Sequence, residues 1–272
     1  MTDLQERLLE MMVWFDDYCR KNELRYYIIG GTLLGAMRHG GFIPWDDDLD
    51  IGMPRKDYDK LKEIFVNEGR FELEMPNSKA KDFCYGYAKL YDTTTTLIEN
   101  RRTNVKRGLF IDIFPIDGVG NNLDVAICDY RKIKIYNGLL VSRTAATRKG
   151  RSLLKNAFAL MSRVIPECLF PIRNLRMKLD KLISRYNFDN SLYVGNLLGL
   201  KMEKEIVPQE YFGIPKRVKF ENTSLLMPAL PEEYLTHIYG DWNKMPPKDK
   251  QVTHHDFIMC DLNIPYKQYE KV

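Results

Sequence analysis

Between Pro44 and Met53 the chain reads Trp45-Asp46-Asp47-Asp48-Leu49-Asp50-Ile51, four carboxylates within five residues beside apolar strand formers. On an extended strand Asp46, Asp48 and Asp50 project to one face. Successive carboxylates then lie about 7 Å apart and repel unless a cation neutralises them. Hard oxygen ligands in an incomplete cage suit magnesium or manganese, whose open positions are filled by water and substrate phosphate. An acidic surface loop is the bland alternative for such a run. Against it stands a second apolar segment with one lone acid, Phe110-Ile111-Asp112-Ile113-Phe114. A charge in such a run should be paired or coordinated, although a turn or sheet edge would also accept it. Asp48, Asp50 and Asp112 are the expected metal ligands and catalytic carboxylates.

These acids need elements that bring them together. Leu24 to Ile29 reads as a strand ending at Gly30-Gly31, with Thr32 as the cap of a short helix through Met37. Backbone N–H groups of Gly30, Gly31 and Thr32 at that helix start suit a phosphate oxygen. Residues 48–53 form the next expected strand, followed by Pro54 and an amphipathic helix ending near Glu68. Further strands are expected at Phe71 to Glu74, Phe83 to Leu90 and Gly108 to Phe114. Thr2 and Gln5 form the capping box of a packing helix over 2–21. From about 122 to 187 the pattern is helical. A hairpin around Glu221-Asn222-Thr223 and a helix from Pro231 to Gly240 follow. The expected architecture is α+β, a core sheet over 24–118 with elements returning at about 190–260 and a helical insertion at about 122–187, all in one domain.

Composition narrows the function. The 272 residues are 44% hydrophobic and 12% aromatic, enough for a folded core and against disorder. With 41 basic and 37 acidic residues, the net charge of +4 gives no sign of a nucleic-acid partner. The five scattered cysteines include no CxxC pair, which argues against a disulfide framework or thiolate zinc site. Met1 to Arg7 lacks a signal-peptide pattern and no apolar run approaches bilayer length, so a cytoplasmic protein is expected. Residues 143–178 carry nine lysines and arginines against Glu167 alone. An ordinary packed helix with a solvated basic face explains them; the other reading is peripheral contact with an anionic membrane at the inner face.

Gly30-Gly31-Thr32 is neither a P-loop nor a Rossmann fingerprint. The order strand, Gly-Gly turn, helix, Asp-x-Asp strand and distant third Asp resembles the polymerase-beta-like nucleotidyltransferase fold. The uninterrupted segment from Ile28 through Gly30-Gly31-Thr32-Leu33-Leu34-Gly35 and Trp45-Asp46-Asp47-Asp48-Leu49-Asp50-Ile51 resembles the signature of the LicD family, related to fukutin and fukutin-related protein. The likeness continues through Pro54-Arg55-Lys56-Asp57-Tyr58, Ala88-Lys89-Leu90, Phe110 to Asp117, Tyr239-Gly240-Asp241 and His254-His255.

That resemblance implies a metal-dependent transferase moving a phospho-alcohol, phosphocholine first, from a CDP-activated donor such as CDP-choline. The implied acceptor is a sugar hydroxyl of a teichoic-acid, lipopolysaccharide or other surface-glycan precursor. Asp48 and Asp50 would hold magnesium against the diphosphate, while Asp112 completes the site or helps deprotonate the acceptor. Arg38 and Lys89 are candidates for the donor's phosphates, and His254 and His255 for phosphate or acceptor. Surface solvation is the plain alternative for Arg38 and Lys89. The chain's sixteen Tyr and three Trp are too many for sequence alone to choose an ammonium-binding cage. Two rival readings remain: a nucleotidylyltransferase that makes the activated donor, and a non-catalytic glycan-binding or scaffold relative.

Overall fold

A computed structural model describes residues 1–80, 82–101, 104–144, 160, 171–253 and 257–269. Helix α1 (Asp3–Lys21) starts at the expected capping box, with the Thr2 hydroxyl accepting from Gln5 N and the Gln5 side chain from Thr2 N. Its apolar face, including Leu8, Met11, Met12 and Phe15, is buried against the sheet. Strand β1 (Tyr27–Ile28) leads into α2 (Gly30–His39), β2 (Asp50–Pro54) and α3 (Arg55–Ile64). Strands β3 (Phe71–Glu74), β4 (Ala88–Glu99) and β5 (Val105–Gly120) follow. Helices α4 (Leu123–Thr144) and α5 (Ile172–Ile183) pack together. Strands β6 (Tyr193–Gly195) and β7 (Ile206–Pro208), the hairpin β8 (Lys216–Phe220) and β9 (Thr223–Met227), α6 (Pro231–Tyr239) and β10 (Phe257–Asp261) complete the order.

The result is a mixed α and β structure on an eight-stranded sheet whose main path is β1-β2-β5-β4-β10. β5 is its spine. It pairs antiparallel with β4, parallel with β2 and, at its far end, antiparallel with β6. β4 receives β3 along its first half and β10 along its second. Burial of β5 from Gly108 to Val119 matches an apolar run broken only by Asp112 and Asp117.

Several boundaries differ from the sequence expectation. β1 is two residues long, and α2 begins at Gly30 rather than after Thr32. Thr32 is therefore no cap; its hydroxyl accepts from Asp50 N at 2.8 Å, a tertiary bond that competes with capping. Residues 48 and 49 precede the strand, so Asp46 and Asp48 lie in a loop and the alternating-face geometry does not hold for them. α3 ends at Ile64, short of Glu68. β4 starts five residues later than expected, at Ala88, and runs on through the β-branched stretch Thr93 to Thr96. Within the expected helical insertion, residues 145–159 and 161–170 lie outside the described residues. Among the described residues no helix is long and apolar enough to cross a membrane.

Candidate metal and phosphate site

β2 and β5 set Asp50 and Asp112 opposite one another in parallel register. Asp112 is in turn the Cα partner of Lys89 on β4. Lys89 Nζ lies 2.6 Å from Asp112 Oδ1, with only 1% of Lys89 and 5% of Asp112 exposed. The Tyr87 hydroxyl donates to Asp112 Oδ2 at 3.3 Å. Around the ammonium stand the rings of Phe110 at 3.1 Å, Tyr85 at 4.2 Å and Tyr87 at 5.8 Å to their centroids. This aromatic cage is occupied by the chain's own cation, so it is not open to a quaternary ammonium. Lys89 reaches a carboxylate rather than the surface, because the β4–β5 register faces its side chain to Asp112.

The loop before β2 carries the other acids. Asp46 N bonds to Ile43 O at 2.9 Å, turning the chain so that Asp46, Asp47 and Asp48 each bring a carboxylate oxygen within 4.8 Å of the others. Gln5 of α1 pins this turn, its amide nitrogen donating to Asp46 O at 2.9 Å and Ile43 O at 3.3 Å. Asp47 accepts from the Thr253 hydroxyl, tying the loop to the C-terminal segment. That contact supplies a structural use for an acid the sequence left without one.

The Gly-Gly turn meets these carboxylates directly. A Cβ on Gly30 would stand 3.2 Å from Asp50 Oδ2, and one on Gly31 would stand 3.0 Å from Asp46 Oδ2. Gly30 also holds a positive φ of 57°. The start of α2, expected to face phosphate, thus receives the Asp46 and Asp50 carboxylates, whose charge the helix N-terminus favours. Burial pushes the Asp50 carboxyl well above the usual carboxylate range; Asp48, Asp112 and Asp46 push the same way, against Lys89. Asp46, Asp47 and Asp48 form the tight carboxylate group, and Asp50 and Asp112 stand beside it on two strands, near enough for Asp46, Asp48 and Asp112 to act on Asp50. The all-oxygen donor set fits a hard divalent cation, which would relieve that repulsion.

Further residues complete the rim. Tyr239, at the end of α6, is held protonated by burial, with Asp50, Asp46 and Asp48 adding to the effect. Tyr234 of the same helix places its hydroxyl against the Gly30 backbone amide. Arg38 lies at the far end of α2, donating to Trp242 O at 3.0 Å and to His39 Nε2 at 3.0 Å. Burial lowers its pKa. His254 and His255 lie outside the described residues. Tyr87 and Tyr234 were not singled out from sequence, and Tyr239 entered only through the likeness of Tyr239-Gly240-Asp241. Only the capping box marked Gln5, and it gave no hint that the amide's other end reaches the acidic loop.

Residues 23–136 match the family described as LicD/FKTN/FKRP, nucleotidyltransferase domain. Over that span the chain is similar to the LicD family. The LicD match runs from before β1 into α4 and so includes the Gly-Gly turn, the acidic loop, Lys89 and Asp112. The chain is 27% identical over 253 residues to lipopolysaccharide cholinephosphotransferase LicD of Haemophilus influenzae, covering 91% of this chain and 92% of that protein. A stretch of 41 residues is 46% identical to ribitol 5-phosphate transferase FKRP of Homo sapiens, covering 15% of this chain and 8% of that one. Mannosyltransferase regulator 4 of Saccharomyces cerevisiae is 27% identical over 121 residues, 41% of this chain and 10% of its own.

Proposed function

We propose that this chain is a LicD-type, metal-dependent phosphotransferase with a nucleotidyltransferase-type core. It moves a phospho-alcohol, phosphocholine first among the candidates, from a CDP-activated donor to a sugar hydroxyl of a cell-surface glycan precursor. The observation that carries the reading is the Asp50–Asp112 register beside the acidic loop, with Lys89 closing on Asp112. The long match to a cholinephosphotransferase supports phosphocholine over ribitol phosphate, whose transferase matches only a short stretch.

Asp48, Asp50 and Asp112 would hold magnesium or manganese, with Asp46 adjacent to Asp50. Such an ion, when bound, neutralises charge on the donor's diphosphate and on the oxygens of an in-line displacement. The protein's own part is positioning. Gly30 and Gly31 let two carboxylates approach the start of α2, and the Thr32 hydroxyl holds the entry of β2. Lys89 and Tyr87 fix the orientation of Asp112 and offset its charge. The acceptor oxygen bonds to phosphorus as the bond to CMP breaks, and the acceptor's proton leaves to a nearby carboxylate. Holding these partners in line is itself a large share of such catalysis.

The test is CMP release from CDP-choline and CDP-ribitol, with magnesium and candidate glycolipid acceptors. Release that depends on acceptor, stops on chelation and falls by orders of magnitude in Asp48→Asn supports the reading. Pyrophosphate release from CTP instead would assign the chain to donor synthesis. Asp48→Asn with full activity would defeat both.

A further inference from the structure

One row of side chains crosses one face of the sheet. Cα pairing aligns Asp50 with Asp112, Asp112 with Lys89, and Lys89 with Glu74. Residues paired in this way project to the same face. Three strand spacings put the Glu74 backbone about 14 Å from that of Asp50. Beside Glu74 the surface opens into a cavity of about 490 Å³, lined by Glu72, Glu74, Ser78, Tyr91, Arg107 and Tyr266 among others. That is the size of a small-molecule pocket.

Its walls are polar and held in place. Arg107 Nε donates to Glu74 Oε2 at 3.0 Å, and its other nitrogens clasp Asp82 at 2.9 Å. The Ser78 hydroxyl donates to Glu74 Oε1 at 2.9 Å, and the Tyr266 hydroxyl to Glu72 Oε2 at 2.7 Å. Lys267 pairs with Glu72 from outside. Each wall carboxylate thus has a cation, so the cavity presents acceptors and donors without a net charge to attract an anion. Tyr91 is 1% exposed, and its hydroxyl has no hydrogen-bond partner among the described residues.

We infer that this cavity binds a neutral sugar unit, the part of the acceptor glycan that lies back from the reacting hydroxyl. The hydroxyls of a sugar ring match the wall carboxylates and Ser78, while the tyrosine rings cover its apolar faces. A diphosphate would meet Glu72 and Glu74 instead. The backbone separation of about 14 Å is within the reach of a short oligosaccharide. Its role as acceptor subsite rests on the transferase reading; sugar binding itself does not.

The experiment is calorimetry and saturation-transfer NMR on the full chain with the methyl glycosides of glucose, galactose and N-acetylglucosamine. At least one glycoside should bind. Asn77→Trp, which fills the cavity from its exposed rim, should weaken binding about tenfold or more without changing the melting curve. Asp48→Asn should bind as the unmodified chain does. No binding of any glycoside, or binding indifferent to Asn77→Trp, overturns the inference. CMP release measured on the same samples separates the two claims. Sugar binding without transfer from any donor defeats the transferase reading and leaves the sugar pocket, whereas transfer with an unoccupied cavity defeats the pocket alone.

Discussion

Asp50 and Asp112 stand opposite each other on adjacent parallel strands, and the Lys89 ammonium closes on Asp112 from the strand beyond. This places one cation against one acid in a region where Asp46, Asp48 and Asp50 add three more. Burial strengthens both the attraction of the pair and the repulsion among the acids. On the proposed reading a divalent cation joins this cluster, and the residues that hold its geometry are open to test.

Lys89→Met removes the charge and keeps the length of the side chain. It leaves Asp112 buried without its ammonium, a change that costs about 3–5 kcal/mol for such pairs. Denaturant unfolding should show that loss. Added magnesium should restore more stability to the variant than to the unmodified protein; equal magnesium effects would mean that Asp112 does not meet the ion.

Gly31→Ala separates stability from function. Its φ is not in the left-handed region, and alanine in a helix is favoured over glycine by about 1 kcal/mol. Its Cβ, however, would press on Asp46 Oδ2 at 3.0 Å. The melting temperature should hold or rise while the magnesium concentration needed for half-maximal CMP release rises about tenfold, a loss of about 1.4 kcal/mol in binding.

Thr32→Val keeps the shape but removes the oxygen that accepts from Asp50 N. An unsatisfied buried donor costs about 1–3 kcal/mol, so unfolding should come at lower denaturant and transfer should slow. Thr32→Ser, which keeps the oxygen, should rescue most of the rate.

Glu205 gives a pH dependence outside the carboxylate cluster. Burial raises its carboxyl to about 7, although Lys201 N donates to it at 3.0 Å. A buried acid with a raised pKa holds its proton in the folded state, while the unfolded chain releases it near pH 4.5. Stability from this group is thus greatest below about pH 4.5 and is lost as pH rises through about 7. Glu205→Gln should melt above the unmodified protein at pH 8 and match it at pH 5. Parallel melting curves at both values would count against the buried acid.

The capping box at Thr2 and Gln5, the hairpin around Glu221 and the helix from Pro231 to Gly240 were legible because each rests on neighbouring residues. The lone acid in Phe110–Phe114 was legible for a different reason: a charge inside an apolar strand demands a partner wherever the fold supplies one. β6, β7 and β10 were not read as strands, since short strands take their stability from the strands they join rather than from local pattern. Sequence alone singled out the acids, glycines and cations of the proposed site. Tertiary structure decided their partners: Lys89 turns inward to Asp112, the Gly-Gly turn receives Asp46 and Asp50, and Thr32 binds Asp50 instead of capping its helix. Strand register and loop closure fix those distances, and both depend on contacts between residues far apart in the chain.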